Sequence, residues 1–224
     1  MSNLSFKKQL YAQIARLGKA VGNGQRLELL EYLAQGERTV ETLARLSGMS
    51  VANTSQHLQT LRQSGLVSTR REGLYVHYRL AEPQVVLLVE VLGKLAASQL
   101  ADVERLVQNY LTKKDQMEPL PRAELLARAR EGLITVLDVR PHEEYEAGHV
   151  MGAINIPLKE LEEHLEELPR QQDIVAYCRG PYCVLAYEAV ARLREKGFKA
   201  RRMEDGYPEW KLAGLPVEEA VKKE

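Results

Sequence analysis

Apolar residues in the first part of the chain recur every three or four positions, which is the spacing of one face of an α-helix. The pattern predicts helices over 10–21, 26–34, 40–46 and 51–63. Thr39 and Ser50 precede the third and fourth of these segments, and both are residue types that cap helix N-termini. Residues 47–49, Ser-Gly-Met, therefore form the predicted turn between two short helices.

The period of the pattern changes after Gly65. Residues 66–71 and 74–80 are strand-like and are joined by Glu72-Gly73, which predicts a β-hairpin with a basic tip. Helical spacing then returns from Pro83 to about Thr112 without a break, which predicts one helix of roughly 45 Å at 1.5 Å per residue. Its apolar stripe is longer than a small winged domain covers by itself.

Helical and strand-like segments alternate in the second half of the chain. Helices are predicted over 121–130, 158–168 and 182–196, and short apolar runs of the kind that parallel sheets bury occupy 133–137, 153–156, 173–177 and 199–203. We therefore predict two domains, divided within the proline-containing segment 113–121. Residues 1–114 form a mainly-α winged helix-turn-helix with a β-hairpin wing, and residues 115–224 form an α/β domain with an open, mostly parallel sheet.

Charge divides the chain at the same place. The 224 residues carry 31 Lys and Arg and 31 Asp and Glu, yet residues 1–114 hold 15 basic against 9 acidic side chains, a net charge of +6. The remaining residues have a net charge of −6. A basic half favours contact with a polyanion, although two solvated surfaces also differ in this way by chance.

The composition excludes several classes of protein. An apolar fraction of 45% is ordinary for a folded chain, and the longest aliphatic run, 85–89, is far shorter than the ~20 residues of a membrane span. Two cysteines do not make an extracellular disulfide framework, and the N-terminus has no apolar core typical of signal peptides. We expect a cytoplasmic protein that does not enter a membrane.

The fourth predicted helix and the hairpin carry side chains suited to DNA. Asn and Gln pair with adenine edges, Ser and Thr bond to bases or phosphates, and Arg contacts phosphates. The predicted DNA-binding residues are Ser50, Asn53, Thr54, Ser55, Gln56, Gln59, Thr60, Arg62, Arg70 and Arg71. The alternative is that this polar face is merely solvated.

The run 42–67, TLARLSGMSVANTSQHLQTLRQSGLV, resembles the ArsR-type family of bacterial repressors, and the resemblance extends over about residues 5–112. It implies a homodimer that binds operator DNA and represses transcription. Metal- and sulfur-sensing relatives use Cys, His or Asp side chains in this domain, but residues 1–112 contain no Cys, and 36–41 and 83–112 contain no His. We therefore predict no metal site, and we expect His57 and His77 to be structural or to face DNA.

Both cysteines lie in the run 177–183, Tyr-Cys-Arg-Gly-Pro-Tyr-Cys, between a predicted strand and a predicted helix. Ligands of open α/β sheets bind at the carboxyl ends of strands. A loop at a helix N-terminus also stabilises anions and lowers a thiol pKa. Cys178 is therefore a candidate nucleophile toward sulfane sulfur.

The second half resembles the rhodanese family of sulfurtransferases over about residues 118–220. The matching runs are Leu-Asp-Val-Arg at 137–140, Gly-His-Val-Met-Gly-Ala-Ile-Asn-Ile-Pro at 148–157, the cysteine run, and Asp-Gly-Tyr-Pro-Glu-Trp at 205–210. The resemblance implies that Cys178 carries a persulfide, that Asp138 and Arg140 form a structural polar network beneath the loop, and that Trp210 packs near the site. We predict no bound cofactor.

One position departs from that family. Many thiosulfate-using relatives have an arginine five residues after the nucleophile, where this chain has Cys183. Thiosulfate is therefore a doubtful donor, with Arg179 as a candidate to replace the lost charge. Cys183 is either a resolving thiol that attacks the Cys178 persulfide, a small packing residue, or a metal ligand.

These features favour a transcriptional repressor whose activity is coupled to reactive sulfur through Cys178. Its expected partners are operator DNA, a second copy of the chain, a sulfane-sulfur donor and a thiol acceptor. Two alternatives remain: a sulfurtransferase that uses the winged domain for dimerisation or localisation, and a regulator whose rhodanese domain docks a partner without turnover.

Overall fold

The computed structural model describes residues 3–115 and 117–219. The chain divides by packing into two compact units, Met1–Val89 and Glu90–Glu224. The division falls inside a helix, upstream of the predicted linker, and the domain boundary at 114/115 stays a prediction.

The described residues of the first unit form four complete helices, the beginning of a fifth and a three-stranded antiparallel sheet. The helices are α1 (Asn3–Val21), α2 (Gly24–Ala34), α3 (Val40–Ser47) and α4 (Val51–Gln63). The sheet has the order β1-β3-β2, with β1 at Arg38–Thr39, β2 at Val67–Glu72 and β3 at Tyr75–Leu80. The predicted hairpin is present as β2 and β3. The third strand of the sheet, β1, has no recognisable pattern in the sequence.

Capping residues fix the helix-turn-helix. The Thr39 hydroxyl accepts from the Thr42 amide at 3.4 Å, and the Ser50 hydroxyl accepts from the Asn53 amide at 3.3 Å. Gly48 ends α3 with φ +67°, a conformation that favours glycine. Leu43, Leu58 and Leu61 are fully buried, so the two short helices are held against one core.

The long helix predicted over 83–112 is broken in the structure. It forms α5 (Gln84–Gln99), α6 (Ala101–Leu106) and a π-helical segment Val107–Thr112, with a bend of 91° after α5. Leu100 is extended there, and Asp102 and Glu104 lie in the first turn of α6, where acidic side chains favour a new helix N-terminus. Of the described residues, no single helix is long and apolar enough to cross a membrane; only this bent pair qualifies, when its two parts are counted together.

The second unit is built on a parallel sheet with the order β6-β4-β7-β8. Its strands are β4 (Ile134–Asp138), β6 (Ile154–Asn155), β7 (Asp173–Tyr177) and β8 (Ala200–Arg202), and β5 (His149–Val150) pairs separately with β9 (Val217–Glu218). Its helices are α7 (Arg122–Arg130), α8 (His142–Ala147), α9 (Val184–Glu195) and α10 (Tyr207–Leu212). The predicted fold class, winged helix followed by an α/β domain, is confirmed.

Both faces of this sheet are buried, as the continuous apolar runs predicted. Ile174 and Ala176 belong to one apolar cluster, whereas Val175 and Tyr177 belong to another, because side chains alternate along a strand. The prediction of a helix over 158–168 was wrong. That segment forms successive turns, followed by a single 3₁₀ turn at Leu165–Glu167. The i→i+3 hydrogen bonds of these turns bury Leu161 and Leu168, so the apolar residues keep the three- and four-residue spacing that an α-helix would show.

Candidate DNA-binding surface and cysteine loop

Helix α4 presents part of its predicted DNA-binding set to solvent. Gln56, Gln59 and Arg62 are exposed, and Asn53 and Ser55 are half-buried. The hydroxyl of half-buried Thr60 donates to the Gln56 carbonyl at 3.1 Å. Exposed Ser50 serves as the N-cap.

Thr54 requires a correction. Its side chain is fully buried, and its hydroxyl donates to the Ser50 carbonyl at 3.0 Å, so it packs the helix instead of facing DNA. The sequence contained a signal for this burial, because Thr54 shares one helical face with the apolar residues Leu58 and Leu61. The His57 Nε2 atom on the same helix is buried and has no hydrogen-bond partner among the described residues.

The arginines of the wing have different surroundings. Arg70 contacts Glu37 at 3.0 Å and Glu72 at 2.8 Å, and these hydrogen bonds raise its pKa above the ordinary value. Arg79 also reaches Glu37, at 3.4 Å. Arg71 is exposed, its Nε donates to the Gly73 carbonyl at 3.4 Å, and it makes no ion pair within residues 3–115 and 117–219. Arg71 therefore has the most available charge of these arginines.

The cysteine loop connects β7 to α9. Cys178 follows the last residue of β7, and Cys183 occupies the N-cap position of α9. The two residues are joined by a disulfide with an S–S distance of 2.12 Å, and they are 1% and 8% exposed. Of the alternatives for Cys183, the structure thus favours pairing with Cys178. Within the described ranges, no group of three or more His, Cys, Asp or Glu side chains is arranged to hold a metal ion.

Backbone contacts with the segment 205–210 support this loop. The Tyr207 amide donates to the Cys178 carbonyl at 3.0 Å. A Cβ at position 206 would lie 2.3 Å from the Gly180 amide nitrogen, so only glycine permits this approach. The Glu209 carboxylate accepts from the Gly206 amide at 3.0 Å, and burial raises the pKa of Glu209 to about 7.

Arg179 makes an ion pair inside the protein. Its guanidinium donates to the buried Glu144 carboxylate at 2.8–3.1 Å. Nothing in the local sequence pattern shows that the Glu144 carboxylate will meet a cation 35 residues away. The carboxylate neutralises the charge that was expected to contact an anionic donor, and that contact stays a prediction.

Asp138 and Arg140 are both fully buried at the end of β4. Arg140 donates to Asp138 through its guanidinium at 2.6 Å and through its own amide at 2.9 Å, and to the Gly148 carbonyl at 2.8 Å. The Tyr177 hydroxyl also donates to Asp138, and burial raises the pKa of Tyr177 well above its usual range. This network ties the end of β7, one residue before Cys178, to the neighbouring strand.

Trp210 lies in α10, in the same segment that bonds to the cysteine loop. It is 1% exposed, and its indole N–H donates to the Pro216 carbonyl at 2.9 Å. Its ring packs in the cluster that includes Val175 and Tyr177 of β7.

Comparison with known proteins finds a matching protein family for each part of the chain. Residues 121–213 match the rhodanese-like domain family, and residues 23–69 match the bacterial regulatory protein arsR family. The HTH-type transcriptional regulator Rv0324 of Mycobacterium tuberculosis is 49% identical over 215 residues, which cover 96% of this chain and 94% of the relative.

Two solved structures are similar to separate parts of the chain. The homodimeric winged helix-turn-helix DNA-binding domain of Mycobacterium bovis Mb0332, a possible ArsR-family regulator, is 42% identical and covers 46% of this chain and 93% of its own, with a TM-score of 0.42. A rhodanese-related protein from Thermoplasma volcanium is 29% identical and covers 46% of this chain and 98% of its own, with a TM-score of 0.41. On the strength of the family matches and the full-length relative, the chain belongs to the ArsR family of DNA-binding transcriptional regulators, in a form that carries a rhodanese-like domain.

Proposed function

We propose that this regulator is a homodimeric repressor whose affinity for operator DNA is set by the sulfur and redox state of Cys178 and Cys183. The observation that carries the proposal is the Cys178–Cys183 disulfide in the loop between β7 and α9. The chain has two cysteines in all, so any thiol-based response involves this pair.

The chemistry follows from two adjacent thiols. In the reduced protein the Cys178 thiolate attacks the terminal sulfur of a persulfide R–S–SH, forming Cys178–S–SH and releasing R–SH. The Cys183 thiolate then attacks the inner sulfur of Cys178 and expels hydrosulfide, which leaves the Cys178–Cys183 disulfide. The two thiols lose two electrons, and the transferred sulfane sulfur gains them. A cellular dithiol reductant restores both thiols.

A persulfide or polysulfide is the favoured donor class, because the loop has no available cation for the sulfonate end of thiosulfate, a group that persulfides and polysulfides lack. Cys183 occupies the position where an arginine was expected, and Glu144 neutralises Arg179.

Exposed apolar side chains support the dimer. Leu10, Ile14 and Leu17 on α1 are 39–51% exposed, and Leu88 and Leu92 on α5 are each 37% exposed. Apolar surface of this kind marks an interface, and a two-fold dimer would place two α4 helices on DNA half-sites about one turn apart. Light scattering at micromolar concentration should give the mass of two chains; a monomer would contradict this part of the proposal.

Mass spectrometry of the reduced, full-length protein tests the sulfur chemistry. With disodium tetrasulfide, the wild type should progress to a Cys178–Cys183 bridge, Cys183→Ser should accumulate one or more added sulfur atoms on Cys178, and Cys178→Ser should show no sulfur at position 178. DNA affinity is measured on the same samples. Sulfur turnover in the wild type with unchanged DNA affinity would favour the sulfurtransferase enzyme instead.

A further inference from the structure

The side chain of Tyr187 on α9 contacts the cysteine loop. Its hydroxyl donates at 3.3 Å to the carbonyl of Pro181, which lies between Cys178 and Cys183 in the chain. Tyr187 is buried, and burial raises the pKa of Tyr187 above its ordinary value, so the hydroxyl keeps its proton and remains a donor. The tyrosine is therefore bonded to the segment that the disulfide closes into a ring.

The ring of the same tyrosine packs against Arg202 of β8. The central carbon of the Arg202 guanidinium lies 3.7 Å from the ring centroid, which is within the range of a cation–π contact. The Nε atom of Arg202 donates to a carboxylate oxygen of Asp115 at 2.8 Å. Arg202 and Asp115 are both buried, so these contacts are electrostatically stronger than they would be in water. Three successive contacts thus join the cysteine loop to Asp115.

Asp115 fixes the predicted linker to the second unit. Its other carboxylate oxygen accepts from Arg194 of α9 at 2.6 Å and from the Met117 amide at 3.0 Å. The amide of Asp115 donates to the Leu111 carbonyl, at 3.2 Å, in the π-helical segment Val107–Thr112. Asp115 therefore ties the end of that helical segment to α9 and β8.

The cysteine loop is held firmly at its Cys178 end. The Tyr207 amide donates to the Cys178 carbonyl, and Gly206 packs against the backbone of the next two residues of the loop. Both sulfur atoms belong to buried residues, and once their bond is reduced they must move apart to van der Waals contact. Close-packed interiors transmit such a shift. Because the Cys178 end is fixed, the shift falls on the part of the loop that contains Pro181 and Cys183.

We propose that Tyr187 and Arg202 are positioning residues that transmit the redox state of the cysteine pair to Asp115. With the disulfide formed, the loop holds the Tyr187 hydroxyl, and the ring holds the guanidinium against the Asp115 carboxylate. With the disulfide reduced, the Pro181 carbonyl moves away from the hydroxyl, and the linker is held less firmly. This inference deepens the proposed function and rests on it for the last step, from the linker to DNA affinity.

Hydrogen exchange of the Met117 and Leu120 amides, followed by NMR on the full-length protein, tests the route without DNA. The first amide donates to the Asp115 carboxylate and the second to the Arg202 carbonyl, so both report on the linker. In the wild type, both should exchange about two- to tenfold faster in dithiothreitol than after oxidation with diamide, the effect of losing one hydrogen bond. Tyr187→Phe keeps the ring but lacks the hydroxyl, so its amides should exchange at the same rate in both states.

A matched control removes a tyrosine hydroxyl outside this route. Tyr145 donates to the Ala153 carbonyl at 2.8 Å, so Tyr145→Phe should keep the wild-type difference between the two states. Cys183→Ser cannot form the bridge and should exchange at one rate with or without diamide.

Three results would overturn the inference: equal exchange rates in the two states of the wild type, an undiminished difference in Tyr187→Phe, or an equal loss of the difference in Tyr145→Phe. The proposed function is judged separately, by DNA affinity on the same samples. A wild type whose linker amides respond to the disulfide while its DNA affinity does not would contradict the proposed function and leave this inference standing.

Discussion

Arg179, the residue after the candidate nucleophile, is bound by Glu144 through hydrogen bonds of 2.8–3.1 Å from its Nε and Nη2 atoms. Glu144 is 1% exposed, so this carboxylate is a fixed part of the loop's surroundings. The pair neutralises the cation nearest to Cys178 in the sequence. It thereby gives a structural reason to expect slow reaction with thiosulfate.

Glu144→Gln should make the Arg179 charge available to thiosulfate. We expect thiosulfate-dependent sulfur transfer to cyanide to be low in the wild type and higher in this variant, because a neutral amide no longer cancels the guanidinium. Loss of the charge-assisted hydrogen bonds should also reduce the free energy of unfolding by about 1.5–3 kcal/mol. Glu143→Gln is the matched control, since Glu143 is exposed. Equal thiosulfate rates in all three proteins would contradict this role of Glu144.

The arginines of the wing should contribute differently to DNA affinity. Arg71→Ala should weaken DNA binding across sequences and reduce the slope of log affinity against log salt by about 1, the effect of losing one phosphate contact. Glu37→Gln should strengthen binding, because Glu37 holds Arg70 and Arg79. Fluorescence anisotropy at several salt concentrations measures both effects. An unchanged slope in Arg71→Ala would exclude a phosphate contact at that residue.

Loss of a base contact should reduce sequence preference, whereas loss of a phosphate contact should reduce the salt dependence of DNA binding. Gln56→Ala on the exposed face of α4 should relax sequence preference, at about 1–3 kcal/mol for a lost bidentate contact, without changing the salt slope. Thr54→Val should leave sequence preference intact, since Thr54 is buried. The comparison uses selected and scrambled DNA of the same length. Equal discrimination by wild type and Gln56→Ala would remove Gln56 from the base-contacting set.

The pKa of about 7 at Glu209 predicts a pH dependence of stability. Because burial raises this pKa above its unfolded value, the folded state binds the extra proton, and stability falls as pH rises from about 4.5 to 7. The loss is at most about 3 kcal/mol, at 1.36 kcal/mol per pKa unit. Glu209→Gln should remove this slope and be more stable than the wild type above pH 7. Urea unfolding at pH 5, 6, 7 and 8 measures it, and parallel slopes in the two proteins would contradict the assignment.

The buried ion pair at the end of β4 should be essential to the second unit. Asp138→Asn removes the carboxylate that accepts hydrogen bonds from the fully buried Arg140 guanidinium, and breaking a buried ion pair typically costs about 3–5 kcal/mol. Fluorescence of Trp210, the chain's single tryptophan, reports unfolding of this unit. A loss below about 1 kcal/mol would show that the network is not needed for stability.

Local chemistry in the sequence predicted much of the fold. Thr39 and Ser50 are caps because Ser and Thr hydroxyls accept amide hydrogen bonds, and the strand runs are apolar because both sheet faces are covered. Periodicity alone did not separate a helix from 3₁₀ turns over 158–168, since both satisfy the same spacing. Periodicity also did not reveal the break of the long helix at Leu100, because an extended residue there leaves the spacing of the apolar stripe unchanged.

The site was less predictable than the fold, because its contacts join distant parts of the chain. The cysteine pair was visible at a spacing of five residues. In contrast, Glu144 reaches Arg179 across 35 residues, and Gly206 approaches Gly180 only because α10 packs beside the loop. Such partners depend on tertiary placement and have no local pattern in the sequence.

In the proposed function, the sulfur state of Cys178 sets the affinity of the protein for DNA. The direct test is the affinity of full-length wild type and Cys178→Ser for a DNA duplex selected by the reduced wild type, each with and without disodium tetrasulfide. We expect the DNA affinity of the wild type to change about 5- to 150-fold, the usual range for coupled sites, and dithiothreitol to reverse the change. We expect no change in Cys178→Ser. Equal shifts in both proteins, or no shift in the wild type, would contradict the proposed function.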